Sequence, residues 1–148
     1  MDDIEAIKAQ YLNHEFETRT FAVEAESLAA FARACGETLS RYVDPADADF
    51  QATPTWPSSL ARGGNLPAGF PTFGGVSLDG GKDVEPLAPI RPGMTLTGRS
   101  HVHDIYAKSG RSGRMIFVIS RMVLTDDDGT VVSNADTRLV IRENSAKK

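Results

Sequence analysis

The segment CGETLSRYVD at residues 35–44 brings Glu37, Tyr42 and Asp44 close together behind a short apolar run. A carboxylate and a second proton-carrying group that reach one water can deprotonate it and deliver a proton elsewhere, which is general acid–base chemistry. Tyrosine, with a reference pKa of about 10, is a poor partner for that work near neutrality. The other reading makes Glu37 and Tyr42 ordinary residues of a polar turn. Three histidines stand at positions 14, 101 and 103. His101 and His103 share one face if they lie on a strand. Only Asp104 adjoins them and no cysteine is near, which falls short of a tetrahedral zinc set, so no metal is expected.

The elements that must carry these residues are legible from periodicity. Residues 2–11 suit a short helix with Ile4, Ile7 and Tyr11 on one side. EFETRTFAV (15–23) reads as a strand. In EAESLAAFARACG, residues Leu28, Phe31, Ala32 and Cys35 recur at helical spacing, which predicts a buried helix over about 24–36 with Phe31 nearly inaccessible. Acidic residues suit its start, and Gly36 is a natural stop. Its alanines would let it lie close against a sheet. Prolines and glycines crowd residues 44–93, which predicts a long irregular connection with helical turns at 45–49 and 57–61 and a short strand at Lys82–Leu87. Such a long loop in a small domain is usually functional. Three strands follow at 94–108, 114–124 and 130–142, joined by the hairpin connections SGRSG and TDDDG. ENSAKK (143–148) ends the chain, and 144–148 is expected to fray. One helix on an antiparallel sheet is an α+β arrangement.

Composition narrows the function. The 148 residues suit one domain, and the formal net charge of −4 gives no electrostatic footprint for nucleic acid. No apolar run approaches the roughly 18 residues of a membrane span. The acidic N-terminus lacks the layout of a signal peptide. With the single cysteine, Cys35, this points to the cytoplasm.

Several stretches resemble the MaoC-like acyl-CoA dehydratases and enoyl-CoA hydratases, in particular their N-terminal-type domain. They are FARACGE (31–37), VDPADADF (43–50), TPTWPSSL (53–60), PLAPIRPGMTLTGRSHVHDIYAKSGRSGRMIFVI (86–119) and DDGTVVSNADTRLVIR (127–142). IRPGMTL followed by HDIYAKSGRSGRM is the most specific. The resemblance implies one hot-dog domain over 1–148, a curved antiparallel sheet wrapped around a central helix.

The resemblance also implies a reaction, the hydration of a 2-enoyl thioester or its reverse, with no cofactor. In active members the turn after the central helix carries an aspartate, a histidine five residues later and another aspartate two further on. Here those places hold Glu37, Tyr42 and Asp44, and no histidine in the chain has an aspartate five positions before it. The resemblance therefore implies the dyad-lacking half of a pair of hot-dog domains. Its partner would be a homologous subunit with the Asp–His pair, and its own part would be to shape the acyl pocket. Trp56, Phe70, Phe73 and Gly74 of the long connection are the expected substrate-binding residues; packing of that loop onto the sheet is the other reading of these aromatics. A self-sufficient homodimer using Glu37 or another residue, a non-catalytic acyl-thioester-binding protein and a thioesterase remain the alternatives.

Overall fold

The computed structural model describes residues 4–62 and 65–143; the expected tail at 144–148 lies outside them. In chain order the elements are α1 (Ile4–Tyr11), β1 (Glu15–Ala22), α2 (Ala25–Ala34), α3 (Ser40–Val43), a 3-10 turn (Trp56–Ser59), β2 (Val76–Pro86), β3 (Thr95–Gly110), β4 (Gly113–Thr125) and β5 (Val131–Arg142). The strands form one antiparallel sheet in the order β1-β3-β4-β5-β2. The α+β, helix-on-sheet architecture is the one expected.

Strict alternation builds the centre of this sheet. Ile116, Val118, Ser120, Met122 and Leu124 of β4 are buried while the residues between them are only half-buried, the period-2 signature of a strand with one covered face. A two-residue turn, Arg111–Ser112, joins β3 to β4, and Gly113 takes the positive φ of 107° that an L side chain resists. Between β4 and β5 the Asp126 carboxylate accepts the N–H groups of Asp128 (3.0 Å) and Thr130 (2.9 Å), pinning the turn.

The central helix α2 runs Ala25–Ala34, with Glu24 and Cys35 as its flanking caps. Leu28, Ala29 and Ala32 are buried, the first two in one cluster with Leu96, Met122, Leu124, Val132 and Ala135. Burying a leucine fully is worth about 1.5–3 kcal/mol. Two parts of the helix expectation are corrected. Phe31 is half-buried at the edge of the cluster that holds Leu28 and Ala29, and Cys35 is exposed because the helix ends at Ala34 and leaves it as the C-cap.

The long connection also differs in detail. One helical turn, Ser40–Val43, lies just before it; within it the turn expected at 57–61 falls at Trp56–Ser59, and residues 45–49 form turns in place of a helical one. β2 starts at Val76, six residues before the expected short strand. Nearly all of it is exposed at the sheet edge, so it has no alternating pattern and is defined by its pairing with β5. Its register shifts at Gly80–Gly81, where a Cβ on Gly80 would lie 2.7 Å from Val140 Cγ2.

Two apolar clusters share the inner face of the sheet. One lies under α2 and includes Trp56, Phe50 and Ile90. The other comprises Ile7, Phe73, Val102, Ile105, Ile116, Val118 and Ile141, covered by α1 and residues 66–73.

Candidate functional site

The turn after α2 is the first place to look for acid–base groups. Gly36, at φ 77°, stops the helix, and the Glu37 N–H returns to Ala32 O at 3.0 Å. The Glu37 carboxylate then turns back on its own chain. Oε1 accepts the N–H of Thr38 (2.8 Å) and of Leu39 (3.0 Å), the residues that lead into α3. These two backbone bonds, Leu39 first, hold its pKa below the ordinary carboxylate value. Asp44 Oδ1 accepts the Ala46 N–H (2.9 Å), and Asp47 accepts from Ser40 Oγ (2.6 Å) and the Asp49 N–H (2.8 Å). The Ser40 hydroxyl, then the Asp49 N–H, lowers the Asp47 pKa as well. Arg91 ties Asp49 at 2.9 Å and the Phe50 carbonyl at 3.3 Å. Tyr42 is half-buried, with the Arg41 guanidinium 4.9 Å from its ring centroid. The acid-rich stretch is therefore a folded scaffold whose carboxylates accept backbone and hydroxyl donors.

No histidine reaches this turn. His14 Nδ1 lies 3.0 Å from Gln10 O beside α1. His101 alternates with the buried Ser100 and Val102, so it points away from α2. Its Nε2 is 3.4 Å from His103 Nδ1. Across the strand pair Arg121 makes two bonds to Asp136, at 2.8 and 2.9 Å. Desolvation, then His103 and Arg121, pushes the His101 pKa down.

The aromatic residues of the long connection divide between the two clusters. Trp56 is 3% exposed in the core beneath α2. Phe70 and Phe73 belong to the second cluster, with Phe70 5.0 Å from Tyr11 and 6.5 Å from Phe73 between ring centroids. The Tyr11 hydroxyl donates to Gly69 O at 2.8 Å. Phe73 and Gly74 adopt φ of 53° and 58°, a left-handed pair that turns the chain toward β2. Trp56 thus stands apart from the Phe70–Phe73–Gly74 group.

Two further features were not visible in the sequence. The first is a cleft of about 210 Å³ with Thr53, Pro54 and Pro57 on one side, Pro86 to Ile90 on the other, and Val132 and Ser133 between. The second is a polar row across the inner face of the sheet, separating the apolar clusters. Glu17 pairs with Ser100, Ser120 with Thr137, and Thr137 with Lys82 in the strand registers. Asn65 crosses above it, donating to Glu17 Oε2 (2.7 Å) and accepting from Ser120 Oγ (3.1 Å). Lys82 Nζ reaches Ser58 O (2.9 Å) and Ala61 O (2.8 Å), holding the 3-10 turn to the edge strand. The available signal was polar residues at inward-facing parity in strands whose other inward positions are aliphatic.

A curved antiparallel sheet around one central helix, followed by an acid-rich turn, defines a hot-dog protein of the MaoC-like kind. The chain belongs to the family described as FAS1-like, dehydratase domain region, whose model matches residues 10–135. Solved structures agree on the fold. The MaoC-like dehydratase from Rhodospirillum rubrum is 19% identical with a TM-score of 0.60, over 91% of this chain and 94% of that one. The MaoC-like dehydratase from Phytophthora capsici is 22% identical with a TM-score of 0.66; the match covers 95% of this chain but 50% of that one. The ChsH1-ChsH2 complex from Mycobacterium tuberculosis gives a TM-score of 0.69 at 16% identity, over 97% of this chain and 91% of that one. No curated protein sequence matches the chain significantly. Among the described residues no helix is long and apolar enough to cross a membrane.

Proposed function

We propose that the chain is the dyad-lacking subunit of a heteromeric enoyl-CoA hydratase or 3-hydroxyacyl-thioester dehydratase. It pairs with a homologous hot-dog subunit that carries the Asp–His pair. The observation that carries this reading is the state of Glu37. Its carboxylate accepts two N–H bonds from its own backbone, which lower its pKa, and among the described residues no imidazole reaches the turn to share a proton with it. Similarity to a structure that is itself a complex, and to a chain twice as long, supports a paired arrangement.

In the pair, the partner's acid and imidazole deprotonate a water. The hydroxide adds to C3 of the enoyl thioester, and a proton is delivered to C2. Charge that builds on the thioester oxygen is met by backbone N–H groups. No cofactor enters the balance. This chain offers the edge strand β2, which among the described residues pairs with β5 alone and exposes Val76 and Leu78. It also walls the acyl-binding space.

The test is steady-state hydration of 2-enoyl-CoA substrates by the pure chain, by an Asp–His-bearing homologue, and by their mixture. The mixture should turn over, and the chain alone should be slower by at least the roughly 10²–10⁴-fold that a missing acid–base group removes. Robust turnover by the chain alone, abolished by Glu37→Gln, would instead establish a self-sufficient enzyme.

A further inference from the structure

We infer that the cleft between residues 51–57 and 86–90 binds the acyl end of a medium-chain acyl thioester, with Thr53 as its polar contact. The inference rests on the proposed function and names a substrate class for it.

The cleft is built to stay open. Pro54, Pro57, Pro86 and Pro89 stand in its walls, each with φ fixed by its ring. The N–H groups of Leu87 (3.0 Å) and Ala88 (3.1 Å) both donate to Val132 O, which locks one wall to β5. A pre-formed, largely apolar hollow loses little order when a ligand enters. Among the described residues no charged side chain lines it, so the phosphates of a carrier stay outside and an uncharged chain goes in.

Size selects the chain. A volume of 210 Å³ exceeds the roughly 150 Å³ that holds a benzene ring and falls short of the roughly 300 Å³ of drug-sized sites. A hollow between those two sizes suits an acyl chain of medium length better than a short one or a long one.

Thr53 supplies the second observation. It is 7% exposed, and its hydroxyl has no hydrogen-bond partner among the described residues. A buried hydroxyl left unpaired is unfavourable and uncommon. A change of χ1 rotamer would offer this buried hydroxyl to a thioester carbonyl or a pantetheine amide in the cleft. The position suits the chemistry. Ala52 N–H bonds Ile90 O (2.8 Å) across the cleft, and Gln51 N–H bonds Arg41 O (2.9 Å), so this wall is tied directly to the turn where active relatives keep their acid–base pair.

The experiment is calorimetric titration of the full chain with CoA and with butyryl-, octanoyl- and tetradecanoyl-CoA. Octanoyl-CoA should bind at least tenfold more tightly than CoA, with no further gain at fourteen carbons. Ala88→Leu, which fills the cleft, should remove the octanoyl gain. Leu87→Trp at the exposed lip should do the same and serves if the first variant does not fold. Thr53→Val should weaken octanoyl binding about three- to tenfold, the worth of one hydrogen bond. It should also raise the urea midpoint of the free chain, because the unpaired hydroxyl is gone. A purely structural threonine would not give these opposite signs. Octanoyl-CoA binding no tighter than CoA, an affinity that keeps rising to fourteen carbons, or an octanoyl gain that survives a folded blocking variant would overturn the assignment. In the reconstituted pair, activity with a chain-length profile untouched by the cleft variants refutes the cleft and leaves the subunit reading standing. An inactive mixture refutes the subunit reading, while the titrations still decide the cleft.

Discussion

Trp56 separates a core residue from an acyl wall. The indole is 3% exposed and packs in the cluster with Leu28, Ala29, Leu96 and Leu124. A tryptophan buries up to about 250 Å², which at roughly 25 cal/mol per Å² is about 6 kcal/mol as an upper bound. Core truncations of this kind cost about 3–5 kcal/mol once the cavity relaxes. A domain of this size has a total stability of only about 5–15 kcal/mol, so Trp56→Ala should lower Tm by about 10 °C or more. Because Trp56 is the sole tryptophan, unfolding is best followed by far-UV circular dichroism in urea, with Trp56→Phe as the milder comparison. Trp56 precedes Pro57 of the cleft wall, so a loosened core would also blur the chain-length preference of the reconstituted pair. A loss below about 1 kcal/mol with a large change in acyl preference would refute this, and would make Trp56 a ligand wall and not a support of the core.

Glu37→Gln should destabilise the fold slightly, by weakening the cap on Thr38 and Leu39, and should leave turnover of the reconstituted pair unchanged; a collapse of turnover in a well-folded variant would return Glu37 to catalysis. Because the folded pKa of Glu37 lies below its ordinary value, that contribution is present at neutral pH and is lost as pH falls through the folded value; Glu37→Gln should flatten this acid limb of a urea-midpoint titration. His101 also has a lowered folded pKa, from burial first and then from His103 and Arg121, with Asp136 and Glu15 opposing. Its neutral form is therefore favoured in the fold, and its contribution is full above the ordinary value of about 6.5 and lost as pH falls from there through the folded value. His101→Gln should make the urea midpoint less pH-dependent in that window, and an unchanged slope would exclude the linkage.

Much of the architecture is written locally in the chain. The alternation of Ile116, Val118, Ser120, Met122 and Leu124 needs only a covered face to become β4. Gly36 ends α2 because only a residue without a Cβ takes φ of 77° at little cost. That residues 37–44 contain no histidine is likewise plain from the chain, whereas it took the fold to show that His14, His101 and His103 stay away from that turn. What the fold alone decided is non-local. Phe31 and Cys35 share a helical stripe with Leu28 and Ala32, yet Phe31 is only half-buried and Cys35, beyond the last residue of the helix, is exposed. Trp56 and Phe73 belong to one irregular connection, but the polar row from Glu17 to Lys82 separates the clusters they join. β2 exists because β5 presents an edge to it, and the Thr53 cleft exists because residues 51–57 and 86–90 meet only after the sheet forms. Periodicity reports what one element buries; which loop covers which face depends on contacts made across tens of residues, and these leave no period in the sequence.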